Sequence, residues 1–362
     1  MVVFEYRDPD TDSIVYHVEP DPGSQNEVST IWSETESLDS GITIQSDERS
    51  GYFVLHHGRQ QPASGNIART FPSDNIRRQM LRYLVCKHLL GEDYVTPVCE
   101  ILAPKPGREH RALELGTRTG TWIQAVAAAF PHVQFRSLDI APVMAHAPRH
   151  NVIFEVYDFT EGLLLDDNSQ DVIFLNFLAA MIKDIRALLR EVHRVLRPGG
   201  VIQFVDFGME IWDPDYPTKK VSRITNPYTF QTIELVREHL AQSGIDPDTC
   251  AKMAKWIAPD SEIWRPNTSH YRGFEQIQQV VRLCPLSPHE GFPCTASIDR
   301  RTAWLIGHMM EMTVRDTVVM LKDRSITHEA AERLVEDTIA ELRQPDKCCA
   351  LKLYSTFAKK RP

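Results

Sequence analysis

The chain has 362 residues, a length that suits one large elaborated domain or two small ones. Its 42% apolar residues can form a sizeable core, and its net charge of -9 argues against a nucleic-acid surface as its main purpose. The seven cysteines form no regular disulfide framework, which indicates reduced thiols. The start lacks a signal-peptide pattern, and no apolar run approaches the ~20 residues of a membrane span. We therefore expect a cytoplasmic protein, with the nucleus left open, that binds neither nucleic acid nor membrane.

Two segments precede the predicted core. Residues 1–50 are acidic and rich in loop signals, and form an N-terminal arm with a short strand near Ile14. Residues 51–106 form a helical preface, in which apolar residues at helical spacing follow Pro72–Asp74 and stop at Gly91. A second helix is expected before residue 106.

Residues 107–209 alternate between strands and helices, a pattern typical of βαβ units in a parallel sheet. Two further strands are expected near residues 274–283 and 350–357. The sequence therefore predicts an α/β fold with a doubly wound, mostly parallel, seven-stranded sheet. The first five strands are predicted over residues 112–115, 133–138, 152–156, 171–175 and 201–207.

A cap and a closing segment complete the chain. Residues 210–300 read as a mostly helical insertion that contains the later core strand. Its aromatic residues, from Trp212 to Tyr271, either line an apolar acceptor site or simply pack the insertion. Residues 301–362 are expected to form one long helix to residue 322, a helix capped by Thr327, and the final strand.

The main functional signal is the segment Leu113–Trp122, which places Gly116 and Gly120 at a strand-to-helix turn. Open α/β sheets bind ligands at such turns, although a glycine turn alone also occurs for purely structural reasons. Asp139 ends the second core strand, where a carboxylate can accept from two ribose hydroxyls. Asp158 ends the third, where it can accept from an adenine amino group. Each acid could also be a solvated strand end, but their order and spacing favour a binding role.

Two more segments carry a resemblance to a known family: Val192–Gly200, which ends in Arg-Pro-Gly-Gly, and the C-terminal Leu351–Pro362. Together with Leu113–Trp122, they make the sequence from about Gly51 onward resemble the class I S-adenosylmethionine-dependent methyltransferases, and within them the fungal LaeA-like group. The resemblance implies a Rossmann-like fold, S-adenosyl-L-methionine as cofactor and a place in secondary metabolism. It also implies cofactor contacts from Glu114, Gly116, Thr117, Gly120, Asp139, Ile140, Asp158, Phe159 and Asn176.

One residue departs from the family pattern. Arg118 stands where the family has glycine. Its side chain either points away from the cofactor or pairs with the cofactor's carboxylate. Both orientations remain open at the level of sequence.

Methyl transfer from a sulfonium needs positioning, exclusion of water and, for some acceptors, a general base, but no metal. His270 and His308 are the candidate bases, with His289 nearby, whereas His193 is expected to be structural. His56 and His57 form the sole adjacent histidine pair, and neighbours on a strand rarely point the same way. No metal site is therefore predicted.

The expected function is methylation of a small aromatic or otherwise apolar metabolite on oxygen, nitrogen or sulfur. The alternative is a LaeA-like regulatory protein that acts through protein partners, with weak or no methyl transfer. Recruitment of the fold for cyclisation or isomerisation also remains open.

Overall fold

A computed structural model describes residues 2–7, 14–19 and 51–361, apart from 147–148, 215–218, 222, 268–272, 292–294 and 325. Strands β1 (Val2–Arg7) and β2 (Ile14–Glu19) form an antiparallel hairpin within a separate N-terminal unit, so the strand predicted near Ile14 is confirmed. The rest of the predicted N-terminal arm lies outside the described residues. A second antiparallel hairpin, β3 (Phe53–His56) and β4 (Arg59–Pro62), opens the main unit.

The centre of the main unit is a seven-stranded sheet in the order β10-β11-β9-β8-β5-β6-β7. The five strands from β5 to β9 run parallel, while β11 pairs antiparallel with both β9 and β10. The predicted doubly wound, mostly parallel sheet is thus confirmed. The strands are β5 (His110–Leu115), β6 (Val133–Asp139), β7 (Val152–Val156), β8 (Gln170–Asn176), β9 (Leu196–Phe207), β10 (Phe274–Pro285) and β11 (Ala350–Lys360).

Helices cover both faces of this sheet. Side chains alternate along β5, so Leu113 and Leu115 pack in the cluster that contains α4, while Ala112 packs in the cluster that contains α3. The helices are α1 (Ile76–Leu90), α2 (Thr96–Leu102), α3 (Thr121–Ala129), α4 (Ile185–Val195), α5 (Pro227–Gln242), α6 (Thr249–Ile257), α7 (Arg300–Asp316), α8 (Val318–Asp323) and α9 (His328–Leu342).

Several predicted helix ends are confirmed and one helix is corrected. Gly91 ends α1 in the left-handed conformation with φ 82°, and Thr327 caps α9 by accepting from the amide of Ala330. The single helix predicted from residue 301 to 322 is wrong, because it breaks at Thr317 into α7 and α8. The Thr317 hydroxyl donates to the carbonyl oxygen of Val314 at 2.6 Å, a side-chain bond of the kind that bends helices.

The helical cap contains helices from outside residues 210–300 as well as from within them. Helix α1 from the preface packs against α7, and α5 packs against α8 and α9. The cap therefore joins elements from the start, the middle and the end of the main unit. No helix in the described part of the chain is long and apolar enough to cross a membrane.

Candidate functional site

The glycine turn between β5 and α3 has no room for larger residues at its two glycines. Gly116 has φ 96° and Gly120 has φ 65°. A Cβ atom on Gly116 would lie 2.8 Å from the carbonyl oxygen of Asn176, and one on Gly120 would lie 2.7 Å from His146 Nδ1. The turn thus lets the backbone pass close to neighbouring groups, as a cofactor cradle requires.

Arg118 adopts the left-handed conformation within this turn, with φ 52°. For a residue with a side chain, that conformation costs about 1–2 kcal/mol. Its amide donates to Asp139 Oδ2 at 2.6 Å, and its guanidinium donates to the carbonyl oxygen of Phe177 at 2.8 Å and contacts the Met181 sulfur. The side chain thus crosses to the loop that follows β8, and whether it pairs with the cofactor's carboxylate stays a prediction.

Asp139 ends β6 as predicted and lies beside the glycine turn. Its second oxygen, Oδ1, accepts from the amide of Ile140 at 2.8 Å. Ile140 is itself buried. Both carboxylate oxygens thus hold backbone amides in place, and each has a further lone pair for a ligand hydroxyl.

Asp158 follows β7 and is already hydrogen-bonded by protein groups. Its carboxylate accepts from Ser64 Oγ at 2.5 Å and from the amide of Thr160 at 3.0 Å. Burial alone would raise the pKa of Asp158, but these hydrogen bonds outweigh it and the pKa is lowered. The neighbouring Phe159 is buried in the hydrophobic core. A contact between Asp158 and adenine stays a prediction.

Glu114 lies beneath the turn in a buried polar group. It accepts from Ser137 Oγ at 2.5 Å and from Asn176 Nδ2 at 3.2 Å, and Ser137 shares a further 2.7 Å bond with the hydroxyl of Thr117. Burial raises the pKa of Glu114 to about 8. Glu114 therefore connects β5, β6 and β8 mainly as a protonated acid at neutral pH, and its predicted contact with the cofactor stays a prediction.

A cavity of about 110 Å³ adjoins the glycine turn and extends under the helical cap. Its lining joins the strand ends to α1, α5, α7 and α9, and most of its side chains are apolar or threonine. This combination suits a small, largely apolar ligand. The lining includes Phe71, Arg82, Arg118, Asp139, Phe177, Asp206, Ile233, Val236, Met309, Met310 and Thr338.

Arg82 gives this cavity an unpaired cation. Its guanidinium carbon lies 4.0 Å from the ring centroid of Phe177, and its buried Nε has no hydrogen-bond partner. Arg78, one helical turn earlier, instead forms a 2.6 Å ion pair with Asp316. Burial, reinforced by the neighbouring arginines, lowers the pKa of Arg82, and nearby Asp206 partly opposes that shift. Among the described residues, Arg82 has no ion pair with a carboxylate, which leaves it available to an anionic ligand.

Asp206 is the buried carboxylate of the cavity and lies near the end of β9. Its oxygens accept from the amides of Phe207 at 2.7 Å and Ala179 at 2.8 Å. Burial nevertheless raises the pKa of Asp206. A raised pKa makes this carboxylate a stronger base than an ordinary aspartate.

His308, predicted as a base, does not line this cavity. It is exposed on α7, where its Nδ1 donates to the carbonyl oxygen of Trp304 at 2.9 Å, and it faces a separate open groove. The next two residues, Met309 and Met310, are buried and line the cavity. A helix turns by about 100° per residue, so this orientation places His308 away from the cavity.

The other histidines have no described place in the cavity. His270 lies outside the described residues. His289 donates to the carbonyl oxygen of Leu342 at 3.0 Å, on the side of the second groove. His193 is buried against Trp264, where burial and then Lys360 lower its pKa to about 4, in agreement with the expected structural role.

Two aromatic residues of the insertion, Trp212 and Trp264, lie outside the cavity lining. Trp264 is buried, and its Nε1 donates to the carbonyl oxygen of Ala258 at 2.7 Å. The ring of Trp212 lies under Lys352, whose Nζ is 3.2 Å from its centroid. Neither tryptophan lines the cavity, which favours the packing alternative for these two residues, and a contact with the acceptor stays a prediction. Tyr271 lies outside the described residues.

His56 and His57 also differ from expectation, because both side chains reach Asp323. Their Nε2 atoms lie 2.9 and 2.8 Å from its Oδ1. His57 occupies the turn between β3 and β4 with φ 50°, and this reversal removes the strand alternation that would separate neighbouring side chains.

Sequence reasoning missed Arg82 and Asp206. Asp206 falls within a predicted core strand, where an acid is unusual and could have been noticed. Arg82 offers no comparable signal, because α1 contains several arginines and only packing decides which of them enters the cavity.

Comparison with known proteins shows what this arrangement is similar to. Residues 113–202 match the family described as "Methyltransferase domain", a range that covers the glycine turn and β5 to β8. Three similar proteins are the secondary metabolism regulator laeA of Coprinopsis cinerea, methyltransferase pytC of Aspergillus terreus and malonyl-[acyl-carrier protein] O-methyltransferase of Methylococcus capsulatus. Their identities to the chain are 27%, 30% and 32%, over 55%, 46% and 40% of it, respectively.

The chain spans about half the length of these relatives, namely 48%, 49% and 53% of each. A solved phosphoethanolamine N-methyltransferase 2 of Haemonchus contortus, in complex with S-adenosyl-L-methionine, is 15% identical with a TM-score of 0.41, and the match covers 84% of this chain and 62% of that one. The sequence-based resemblance is therefore confirmed: residues 113–202 match a methyltransferase domain, and the chain resembles LaeA and related fungal methyltransferases.

Proposed function

We propose that this protein is an S-adenosylmethionine-dependent methyltransferase whose acceptor is a small, largely apolar molecule with an anionic group. The observation that carries the proposal is the largely apolar cavity, which adjoins the glycine turn and is lined by Arg82, whose Nε has no hydrogen-bond partner. The relatives named as methyltransferases and as secondary metabolism regulators support a role in secondary metabolism.

The residues of the turn fit the cofactor. Gly116 and Gly120 leave the space that a backbone cradle needs, and Asp139 lies at the adjacent strand end with lone pairs free for ribose hydroxyls. Arg118 brings a cation to the same side, which suits a carboxylate at the amino-acid end of the cofactor. When bound there, S-adenosylmethionine would supply an activated methyl group.

The cavity residues define the acceptor. Apolar walls around Met309, Met310 and Val236 exclude water and favour an apolar body. Because a buried, unpaired cation is costly, an anionic group on the acceptor would be stabilised beside Arg82. Asp206 is the candidate base for an acceptor hydroxyl, and it replaces His308 in that role.

The test compares acceptors that differ in one charge. We expect labelled methyl transfer to 4-hydroxybenzoate to exceed transfer to 4-hydroxybenzamide. Arg82→Met should raise the KM of the acid about tenfold to a hundredfold, the equivalent of about 1.5–3 kcal/mol, and leave the amide unchanged. Arg77→Met is the matched control, because Arg77 is exposed on the same helix. Equal kinetics for acid and amide with the wild-type protein would refute the anionic acceptor.

The second candidate function is that of a regulatory protein without methyl transfer. Arg118 favours it, because it stands where the family has glycine and its side chain extends across the site to Phe177. Calorimetry with S-adenosylhomocysteine separates the two functions. We expect saturable binding by the wild-type protein, and a change of less than about tenfold, or about 1.4 kcal/mol, for Arg118→Gly. No binding by the wild-type protein at millimolar ligand would support the regulatory function instead.

A further inference from the structure

Four side chains that can bind metal converge outside the cavity lining. His56 and His57 come from the turn of the β3–β4 hairpin, His239 from α5 and Asp323 from the end of α8. His57 precedes His239 by 182 residues in the sequence, so only the fold brings these groups together. His56, His57 and Asp323 place one donor atom each within 4.8 Å of the others.

Two of the histidines contact the carboxylate directly. His56 Nε2 lies 2.9 Å from both oxygens of Asp323, and His57 Nε2 lies 2.8 Å from Oδ1. With protons on both nitrogens these are ordinary hydrogen bonds, and they need no metal ion.

His239 is different, because its ring orientation fixes its tautomer. Its Nε2 lies 2.9 Å from the carbonyl oxygen of Arg69, and a carbonyl can only accept, so Nε2 carries the proton. Nδ1 lies 3.6 Å from Asp323 Oδ2, too far for a hydrogen bond. In the neutral ring Nδ1 carries a lone pair, so it faces the carboxylate as a second acceptor, an arrangement that a cation between them would satisfy.

We propose that His56, His57, His239 and Asp323 bind a divalent transition-metal ion, with zinc the ion that this ligand set suits. With metal–ligand bonds of about 2.0–2.2 Å and a tetrahedral arrangement, neighbouring donor atoms lie about 3.4 Å apart. The 3.6 Å between His239 and Asp323 is close to that value. His56 and His57 would bind through Nε2 as neutral rings protonated at Nδ1, and would move away from Asp323 by about half an ångström. His239 is not among the three donors that lie within 4.8 Å of one another, so its ring would move toward them.

The surrounding residues agree with a structural site. The carbonyl of Arg69 orients His239 in the way that backbone groups orient metal-bound imidazoles. Arg324, a cation whose charge is felt at His239, is hydrogen-bonded to Glu238 and Gln242. The ion would join the β3–β4 hairpin to α5 and α8, and the hairpin and α5 also contribute to the cavity wall. We therefore expect it to stabilise the cap without entering the reaction.

The test titrates zinc chloride into protein that has been stripped with a chelator and dialysed. Calorimetry should show one ion per chain, and thermal unfolding should shift to higher temperature with zinc. Cobalt should give the visible absorption of a four-coordinate site. Asp323→Asn and His57→Gln should each lower zinc affinity about tenfold or more. His328→Gln is the control, since His328 is exposed and contacts only Glu332 among the described acids.

His239→Gln separates a metal site from a hydrogen-bonded cluster. If the cluster contains hydrogen bonds alone, zinc will not bind saturably to the wild-type protein, and the proposal is overturned. Zinc affinity that is unchanged in His239→Gln, or equally reduced in His328→Gln, would also overturn it. Should His239→Gln fail to fold, the cobalt spectrum of the exposed His57→Gln variant decides, because loss of one nitrogen ligand must change it.

Discussion

The ends of the parallel strands and the helical cap differ in how directly sequence position determines side-chain position. Gly116, Asp139 and Asn176 follow or end three neighbouring strands, and the sheet brings them to one edge. In the cap, His308 and Met309 are neighbours in sequence, yet of these two Met309 alone lines the cavity. Parallel strands share a direction, whereas the orientation of a helix about its axis depends on what it packs against.

The cap side of this comparison can be tested with two neighbouring residues. Met309→Ala should destabilise the protein by about 2–5 kcal/mol and weaken acceptor binding, because it enlarges the cavity. His308→Ala should change stability by less than about 0.5 kcal/mol, since His308 is exposed. Urea unfolding and acceptor KM measure both effects. A larger loss of activity in His308→Ala would restore His308 as the base.

The strand-end side can be tested at its tightest contact. In Gly116→Ala, the new Cβ atom would lie 2.8 Å from the carbonyl oxygen of Asn176, and the alanine would have to adopt φ 96°. We therefore expect the unfolding free energy to fall by about 3 kcal/mol and cofactor binding to be impaired. Gly199→Ala is matched for a positive φ, 75°, but its Cβ would meet no atom within 4 Å. The Gly199→Ala variant should lose only about 1–2 kcal/mol of unfolding free energy. Equal unfolding free energies for the two variants would contradict the close approach.

Asp139→Ala examines the predicted cofactor contact at the same edge. Removal of a charged acceptor for the ribose hydroxyls should weaken S-adenosylhomocysteine binding about tenfold to a hundredfold, or about 1.5–3 kcal/mol. The control is Asp166→Ala, which removes an exposed aspartate beyond β7. Unchanged affinity in calorimetry would remove Asp139 from the site.

Glu114, which lies beneath the strand ends, should make the stability of the protein depend on pH. Its pKa is raised to about 8 in the folded protein, so between its ordinary value and pH 8 the folded state retains a proton that the unfolded state has lost. The stability of the wild-type protein should therefore fall as pH rises through this window, by up to about 1.4 kcal/mol per pH unit. Glu114→Gln, which resembles the protonated acid, should lack this slope in thermal unfolding. Parallel pH profiles for the two proteins would show that Glu114 is ionised in the fold.

The sequence alone determined the sheet, the glycine turn and the acids at the strand ends. Those features depend on local patterns: alternation of strands and helices, glycines where φ is positive, and residues that end parallel strands. Their chain order is enough to place them at one edge of the sheet.

The tertiary structure alone decided which side chains complete the candidate sites. Arg82 enters the cavity through the packing of α1 against α7, and Trp264 is withdrawn into the core. His57 meets Asp323 across 266 residues because a turn reverses its strand. Long-range packing and local reversals of the backbone are not encoded in any short pattern, so these contacts could not be inferred before the fold was known.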